Sequence, residues 1–589
     1  MSFRVTPSEA GLAAAVSARA GASQNSLLSR CVPGVLISAP ASGHGKTTVV
    51  AAFARLLTRR GLRVRVFKYG PDFLDPVWHG LATGQPVHNI DLWMTGEDYI
   101  RQCFHDAAAE ADLVIVEGVM GLYDGTPSAA ELALRFDLPV MAVIDAGRMA
   151  GTFGALAHGL RSWMPGLRWA GVLANRVAST RHAQLLADSL RPSWRADGDE
   201  PAAWASAGWL GAVFRNESFG LPSRHLGLIA GTELPDAMAR LDAAADALLD
   251  TALAHLDADG LNAWMTRFDP PLADARSRSD PSLSAAGPDT SFRVPRLAGG
   301  GCVTDEGAPD DRVSEPSAPI PSLAGHTIAV ARDAAFSFVY QANLDTLQAL
   351  GARLRFFSPL AGDDLPDCDA LWLPGGYPEL YAEKLAANTV LAQQIAAHVA
   401  ADRAVWAECG GMLPLFESLE FEGTRWPMWG VLPGSAQFQT RLAGLGMQQL
   451  VWPVQRGSAA FEECGAGHRV LRGHTFHYSR IDTPLVPVAR SSRPNEAVTA
   501  DKGEAVYRYR RLHASYFHAW FASAPAVVSA LFAGAEAAAS KRSGGPTAGE
   551  GLDPARARRV MLETTAACNS VPDMSRVPDP DHPDVQEAR

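Results

Sequence analysis

A glycine-rich segment, APASGHGKTT at residues 39–48, has the residue types of a phosphate-binding loop. In such a loop glycines let backbone N–H groups close around phosphate, Lys46 reaches the outer phosphates, and the Thr47 hydroxyl can ligate Mg²⁺. Pro40 stands where the usual pattern has its first glycine, so the string is a variant. The predicted nucleotide-binding residues here are Gly43, His44, Gly45, Lys46, Thr47 and Thr48.

Two carboxylates lie at and after an apolar run downstream of the loop. The run LVIVE ends in Glu117, and Asp124 follows in a glycine-rich turn. A carboxylate at the end of a neighbouring strand can hold Mg²⁺ or its water, although alone it is more often a solvated or capping residue. The phosphate loop favours the metal-binding interpretation for Glu117.

The segment FKYGPDFLDP forms a third polar group, with Lys68, Asp72 and Asp75 just after a second apolar run. Gly-Pro and Asp-Pro also make ordinary turns, so this segment by itself does not establish a catalytic role. The presence of the phosphate loop in the same chain favours one. Asn175, at the end of another apolar run, could contact adenine through its amide or could equally be a turn residue.

The segment WAECGGM at residues 406–412 places Cys409 on a sharp turn from a strand into a helix. Such a thiol is exposed, and the helix N-terminus is expected to lower its pKa, whereas a lone cysteine is more often a buried core residue. Backbone N–H groups of Gly410 and of Gly376, in LPGGY, could form an oxyanion hole.

A nucleophilic thiol needs a base, and four histidines lie downstream: His474, His477, His513 and His518. A cysteine followed about 110 residues later by a histidine, on an α/β domain, matches thiol amidotransferases. These enzymes hydrolyse glutamine through a thioester.

The elements that must position these residues alternate along the chain. From 35 to about 229, short β-branched runs alternate with helix-period stretches, which predicts a parallel sheet covered by helices on both faces. From 327 a second α/β pattern begins and gives way to denser strand-like segments. Pro, Ser, Asp and Gly dominate between about 268 and 323, which predicts a disordered linker.

The composition limits the function. A net charge of −11 disfavours nucleic acid as a partner, and no apolar stretch reaches the ~18 residues that a membrane span needs. The N-terminal residues lack the pattern of a signal peptide, so we expect a cytoplasmic protein. Seven cysteines without a CxxC pair predict neither a disulfide framework nor a zinc site.

Taken together, the motifs resemble the cobyrinic acid a,c-diamide synthase family, also called hydrogenobyrinic acid a,c-diamide synthases, over about residues 34–530. The resemblance implies an N-terminal domain similar to dethiobiotin synthetase and a C-terminal class I glutamine amidotransferase-like domain. It also implies that the a and c carboxylates of a corrinoid are activated as acyl phosphates by ATP and Mg²⁺ and then amidated with ammonia from L-glutamine. The motifs that carry it are APASGHGKTT, FKYGPDFLDP, HNIDLWM, EGVMGLYDG, LANRV, LPSRHLGLI, ARDAAFSFVY, FFSPL, GGYPEL, AECGGM, GHTFHYS and ASYFH.

The domains that follow from the sequence and the resemblance are a flexible extension (1–33), an ATP-binding amidoligase domain (34–267), a disordered linker (268–323), a glutamine amidotransferase domain (324–530) and a flexible tail (541–589).

The resemblance also assigns roles to residues of this chain. Cys409 matches the nucleophile and His518 the histidine that raises its reactivity, while Gly43 to Thr47 match the phosphate loop. The matching catalytic carboxylates are Asp72, Asp75, Glu117 and Asp124. Two positions depart from the family: Thr475 replaces a glutamate in GHTFHYS, and Trp520 replaces a second histidine. The third member of the Cys–His site is therefore unassigned.

Three alternatives stand beside this interpretation. Cobyric acid synthase shares the architecture but amidates other corrinoid carboxylates, and a related synthase acts on a nickel tetrapyrrole. Partition ATPases share the phosphate loop, but they often carry a second lysine where this chain has Ala41, and they lack a glutaminase half. The sequence leaves open whether the corrinoid contains cobalt and what the oligomeric state is, with a homodimer among the alternatives.

Overall fold

The computed structural model describes residues 29–190, 208–216, 236–271, 322–452, 470–494, 496 and 502–533. Most of the predicted extension, linker and tail lies outside these residues, so the predicted domain boundaries stay predictions. Within the described ranges, no helix is both long enough and apolar enough to cross a lipid bilayer.

An eight-stranded sheet forms the N-terminal half, in the order β3-β2-β4-β1-β5-β6-β7, with β8 added to β1. All of its pairings are parallel except that of β8 with the start of β1. The strands are β1 Arg30–Ser38, β2 Val64–Tyr69, β3 His88–Ile90, β4 Leu113–Glu117, β5 Val140–Asp145, β6 Trp169–Val177, β7 Trp209–Phe214 and β8 Met265–Phe268.

Helices cover both faces of this sheet, and strands β1, β2, β4, β5 and β6 each supply apolar side chains to two separate hydrophobic clusters. Leu36 of β1, for example, belongs to one cluster, and its neighbour Ile37 belongs to the other. The helices are Lys46–Arg59, Asp75–Thr83, Glu97–Glu110, Ala129–Arg135, Thr152–Ser162, Thr180–Ser189, Ala237–Asp246 and Ala258–Asn262, with a 3₁₀ helix at Ala252–His255.

A seven-stranded sheet forms the core of the C-terminal half, in the order β10-β9-β11-β12-β21-β20-β19. Its first five strands are parallel, and β20 and β19 extend it antiparallel. The strands are β9 Thr327–Ala331, β10 Arg353–Phe357, β11 Ala370–Leu373, β12 Ala404–Glu408, β19 Ala489–Arg490, β20 Ala505–Tyr509 and β21 Leu512–Ser515.

Two smaller sheets, in the orders β14-β13-β15-β18 and β16-β17-β22, accompany the large one. Their strands are β13 Ser418–Phe421, β14 Thr424–Pro427, β15 Ser435–Phe438, β16 Gly444–Val451, β17 Val470–His477, β18 Ser479–Asp482 and β22 His518–Trp520. The helices are Gln341–Ala349, Ala382–Ala387, Thr389–Ala400 and Pro525–Phe532, with 3₁₀ helices at Pro378–Tyr381, Cys409–Leu415 and Phe521–Ser523. The predicted fold class, two α/β halves built on largely parallel sheets, is confirmed.

The two halves are in contact through a buried aromatic cluster. Met94 of the N-terminal half packs with Tyr340, Ala342 and Trp520 of the C-terminal half, and each is at most 3% exposed. Polar contacts flank the cluster, with His88 Nε2 2.9 Å from Asp345 Oδ2 and Arg472 donating to the Trp93 carbonyl at 2.9 Å. The halves therefore meet through a mixed apolar and polar surface.

Candidate active sites at the phosphate loop and at Cys409

The glycine-rich loop leaves β1 at Ser38 and enters the helix Lys46–Arg59, as the sequence predicts. Gly43 and Gly45 both have φ near +86°, the left-handed region that glycine adopts without steric cost. A Cβ at Gly45 would lie 2.3 Å from Asn175 Nδ2. Glycine at this position is therefore required by the backbone conformation and by the close approach of Asn175.

The predicted phosphate ligands gather around this loop. The Lys46 ammonium is buried and donates to the carbonyls of Ala41, at 3.1 Å, and Met120. His44 Nδ1 accepts from the Asp145 N–H at 2.8 Å, and burial lowers the pKa of this imidazole, helped by Lys46. Thr48 lies half-buried in the first turn of the helix.

Glu117 is the centre of the site's charge network. It is fully buried at the end of β4, where its Oε1 accepts from Thr47 Oγ1 at 2.8 Å and lies 3.1 Å from Lys68 Nζ, while Oε2 contacts His79 Nε2. Burial alone would raise the pKa of this carboxyl, but Lys68 and His79 outweigh it and lower the pKa. Glu117 is therefore an ionised carboxylate beside the Thr47 hydroxyl.

The other predicted carboxylates play different parts. Asp75 Oδ2 lies 2.5 Å from Lys68 Nζ, which joins it to the Glu117 network. Asp72 Oδ1 accepts the backbone N–H groups of Leu74 and Asp75 and so shapes the loop before the helix Asp75–Thr83. Asp124 is exposed and accepts the Gly121 N–H at 2.8 Å, outside that network.

Sequence reasoning missed His79, which is fully buried against Glu117. Its only signal is its place one helical turn after Asp75, which puts both on one face of the same helix. Asn175 is placed at the loop as predicted, where its Nδ2 donates to the His44 carbonyl at 2.9 Å. This contact supports the loop backbone, and contact with adenine stays a prediction.

Thr47 and Glu117 present hard oxygen donors side by side, which suits Mg²⁺. Among the described residues, no group of three or more His, Cys, Asp or Glu side chains is arranged to hold a metal ion. Magnesium in nucleotide sites is usually held by one or two protein oxygens together with substrate phosphates, so the two findings agree.

Cys409 stands at the turn that directly follows β12, with φ near +46°. A non-glycine residue in the left-handed region is strained, and such strain is typical of a nucleophile held on a sharp turn. The helix that the sequence predicts at this turn is a seven-residue 3₁₀ helix, Cys409–Leu415. Pro414 lies within it and lacks the N–H that an α-helix would need there.

The expected lowering of the thiol pKa is wrong for this structure. Cys409 is 6% exposed, and burial raises the pKa of its thiol well above the usual range; Glu379 adds to the rise, while the Gly410 N–H opposes it. The local sequence indicates a helix terminus beside the thiol, but the loss of solvent around the thiol depends on the whole fold. Ionisation of Cys409 therefore requires a base that takes its proton.

The two predicted oxyanion glycines lie against one another. A Cβ at Gly410 would lie 2.5 Å from the Gly376 carbonyl oxygen, and one at Gly376 would lie 2.1 Å from the Ala335 carbonyl oxygen. Both positions therefore exclude a side chain. Their role in an oxyanion hole stays a prediction.

His518 borders the same glycine turn, since a Cβ at Gly375 would lie 2.4 Å from its Cε1. The ring stacks on His474 at 4.8 Å between centroids, and burial, followed by His474 and His477, lowers its pKa well below the usual value. Within the described residues no hydrogen bond joins His518 to Cys409, whose Sγ lies 3.8 Å from the Phe476 carbonyl oxygen.

Two of the other candidate histidines, His474 and His477, make hydrogen-bond contacts with groups other than Cys409, and the third, His513, is not level with Cys409. His477 contacts the Ser479 carbonyl through Nδ1 and Glu504 through Nε2, at 2.8 and 3.1 Å. His474 Nδ1 contacts the Tyr340 hydroxyl at 3.0 Å. His513 packs beside Trp452, and its partner strand places it level with Trp406 rather than Cys409. His518 stays the predicted partner of the thiol.

Two buried acids near Cys409 carried no signal in the sequence. Burial raises the pKa of Glu379 to about 8, and Oε2 of this residue has no hydrogen-bond partner among the described residues. Burial also raises the pKa of Glu408 to about 8, against hydrogen bonds donated by Trp406 Nε1 at 2.6 Å and by the Ala519 N–H at 3.2 Å. Both are neutral acids for the most part at pH 7.

A carboxylate lies beside Thr475, at the position where the resembled family usually has a glutamate. Glu504, which precedes β20, accepts from Thr475 Oγ1 at 2.9 Å and contacts His477 Nε2 at 3.1 Å through the same oxygen. A carboxylate distant in sequence thus reaches this site through the fold. Trp520, the second departure, is buried in the cluster between the two halves.

The fold and the two sites define a glutamine amidotransferase joined to a nucleotide-binding domain. Residues 35–204 match the family described as the CobQ/CobB/MinD/ParA nucleotide binding domain. Residues 327–526 match the CobB/CobQ-like glutamine amidotransferase domain.

Comparison with whole proteins narrows this class. The chain is 49% identical to "Hydrogenobyrinate a,c-diamide synthase" of Stutzerimonas stutzeri strain A1501, over 86% of this chain and 99% of that protein. It is 46% identical to the protein of the same name from Pseudomonas aeruginosa, over 86% of this chain and 98% of that protein. It is 41% identical to "Cobyrinate a,c-diamide synthase" of Herminiimonas arsenicoxydans, over 85% and 96%. The chain belongs to the cobyrinate and hydrogenobyrinate a,c-diamide synthase family.

Proposed function

We propose that this enzyme amidates the a and c carboxylates of cobyrinic or hydrogenobyrinic acid in cobalamin biosynthesis, with ammonia released from L-glutamine and with ATP as the activating substrate. The single observation that carries the proposal is the presence, in one chain, of a charged phosphate-loop site and a strained cysteine turn. A carboxylate resists attack by ammonia until its oxygen becomes part of a phosphate leaving group, so the reaction needs both sites.

At the phosphate loop, Lys46 and the loop N–H groups bind the phosphates of ATP and neutralise charge that builds up during transfer. Thr47 and Glu117 would hold Mg²⁺, which supplies further neutralisation of the phosphates when it is bound. Lys68 is held between Asp75 and Glu117, and its charge keeps the Glu117 carboxylate ionised. The corrinoid carboxylate is proposed to meet the γ-phosphate beside this group.

At the second site, the Cys409 sulfur attacks the carboxamide carbon of glutamine while His518 accepts the thiol proton. The same proton then goes to the leaving nitrogen, which departs as ammonia and leaves a thioester that water hydrolyses to glutamate. N–H groups of Gly410 and Gly376 are proposed to stabilise the oxyanion of each tetrahedral intermediate. Ammonia attacks the acyl phosphate in the other half and displaces phosphate.

The test uses purified protein with ATP, Mg²⁺, glutamine and either hydrogenobyrinic or cobyrinic acid, with mass spectrometry of the corrinoid. Two successive replacements of a carboxyl by a carboxamide are expected, at positions a and c. The names of the 49% and 46% identical relatives favour the metal-free acid as the better substrate. Amidation at other positions, or none with either acid, would refute the proposal.

A cytoplasmic location and a homodimer stay predictions.

A further inference from the structure

Phe73 connects the two halves at an informative place. It lies in the loop between Asp72 and the helix Asp75–Thr83, so it is flanked by predicted carboxylates of the phosphate site. Its ring nevertheless packs on the C-terminal half, with centroid distances of 4.9 Å to Phe338, 4.4 Å to Tyr340 and 5.1 Å to His518. A residue of the first site thus touches the predicted base of the second.

The loop that carries Phe73 is held firmly to the phosphate site. Asp72 Oδ1 accepts two backbone N–H groups of the loop, and Asn89 Nδ2 donates to the carbonyls of Gly70 and Asp72 at 2.9 and 2.7 Å. Asp75, two residues after Phe73, is joined to Lys68. The position of the Phe73 ring therefore follows the position of the carboxylates beside it.

Among the described residues, in contrast, no hydrogen bond to Nδ1 orients the His518 ring. A carboxylate or carbonyl commonly accepts from the nitrogen that faces away from the nucleophile. Here His518 Nδ1 is buried and has no hydrogen-bond partner among the described residues. Rings surround the imidazole instead: His474 is stacked at 4.8 Å, Phe73 lies at 5.1 Å and Phe338 at 6.0 Å. Packing fixes this ring, and one of the packing groups comes from the other half.

We propose that Phe73 is a positioning residue for glutamine hydrolysis, which holds the His518 ring in place from the N-terminal half. The glutaminase site is then complete only when the carboxylate loop is docked against it. This inference rests on the proposed function, because it takes Cys409 and His518 to be the groups that hydrolyse glutamine.

The experiment compares three substitutions in the full chain: Phe73→Ala, Phe73→Leu and Phe73→Tyr. Glutamate release, glutamine-driven amidation and ammonium-driven amidation are measured for each, with kcat and KM for glutamine. We expect Phe73→Ala to lower kcat for glutamate release at least tenfold and to lower the ratio of glutamine-driven to ammonium-driven amidation at least fivefold. Phe73→Tyr keeps the ring and should recover most of the rate, whereas Phe73→Leu should stay low.

Asp345→Asn is the matched control, because Asp345 contacts His88 across the same contact surface at 2.9 Å and is not part of either site. Its ratio of glutamine-driven to ammonium-driven amidation should stay within twofold of the wild type. An equal loss in Asp345→Asn would mean that the effect comes from docking in general, and an unchanged ratio in Phe73→Ala would also overturn the proposal.

If Phe73→Ala is not soluble, Phe73→Leu and Phe73→Tyr carry the test, and equal rates in these two would refute a role for the ring. If the wild-type protein releases no glutamate from glutamine, the proposed function itself fails. Normal wild-type activity with undiminished variants refutes only the positioning role.

Discussion

The phosphate site and the cysteine site hold buried ionisable groups in opposite ways. Around Glu117, charges are paired: Lys68 lies between two carboxylates, and the carboxyl pKa is lowered in spite of burial. Around Cys409, burial dominates, since it raises the pKa of the thiol and raises that of Glu379 and Glu408 to about 8. The first site is charged and electrostatically organised, and the second is largely neutral.

This difference fits the two chemical tasks. Phosphoryl transfer develops negative charge on phosphate oxygens, so a preorganised set of cations and metal-binding oxygens stabilises its transition state. Attack by a thiol moves a proton within the site, so a dry pocket with a thiol and a neutral imidazole needs no net charge at the start. The cysteine site must instead rely on packing to keep its groups in position.

The largest expected effect separates the two sites. Cys409→Ala should lower glutamine-driven amidation by at least about 10³-fold, because no nucleophile remains, and should leave ammonium-driven amidation within about threefold at mildly alkaline pH. Rates with the two nitrogen sources provide the measurement. Cys368→Ala is the control, since that thiol is also buried in the C-terminal half but lies 3.9 Å from His398 Nδ1. Loss of ammonium-driven activity in folded Cys409→Ala would contradict the division of labour.

The next effect should appear with either nitrogen source. Glu117→Gln removes the negative charge that pairs with Lys68 and that would attract Mg²⁺, so amidation with glutamine and with ammonium should both fall by about 10²-fold. Glutamate release should stay within a few fold. Glu110→Gln, at an exposed carboxylate of the same half, serves as the control. Recovery of the Glu117→Gln rate by added ammonium would show that the assigned role is wrong.

The sequence predicted those parts of the two sites that depend on local pattern. The loop between β1 and the helix Lys46–Arg59, and the strained turn at Cys409, follow from short motifs whose glycines and apolar runs determine the backbone. His79 was missed because its contact with Glu117 requires a helix to pack over the end of β4. The raised pKa of Cys409 was missed for a similar reason, since burial is a property of the whole fold.

Contacts between distant segments were the least predictable. Phe73 reads as an ordinary loop residue, and only the docking of the two halves brings it to His518. Glu504, which precedes β20, contacts Thr475 of β17 only because the fold of the C-terminal half brings these two segments together. The sequence left open which group, if any, orients the His518 ring, and it gave no sign of a carboxylate beside Thr475. It could not indicate which residue fills either place.

The neutral character of the cysteine site can be tested through stability. With its pKa near 8, folded Glu408 keeps its proton where the unfolded chain, with a pKa near 4.5, has lost it. The folded state therefore binds more protons between these values, and stability falls as pH rises through that window. Glu408→Gln keeps an oxygen that accepts from Trp406 and cannot ionise.

We expect the unfolding midpoint of Glu408→Gln minus that of the wild type to become more positive from pH 5 to pH 9. The change should correspond to at least about 1 kcal/mol in the free energy of unfolding. Thermal unfolding followed by near-ultraviolet circular dichroism at a series of pH values gives the measurement. Glu383→Gln, at an exposed glutamate of the same half, should show no such trend. A difference from wild type that is constant across pH would mean that Glu408 is already ionised in the folded protein.

The smallest expected effect concerns the carboxylate that the fold supplies beside Thr475. Thr475→Glu restores the residue that the family usually has, but it places a second carboxylate next to Glu504 in a position that is 1% exposed. Like charges in a buried site repel, so we expect the free energy of unfolding at pH 8 to fall, and the double substitution Thr475→Glu with Glu504→Thr to recover part of the loss. The coupling energy from this double-mutant cycle should be about 1 kcal/mol. The double substitution should destabilise the protein less than the sum of the two single substitutions. Additive effects of the two substitutions would show that Glu504 does not stand in for a glutamate at position 475.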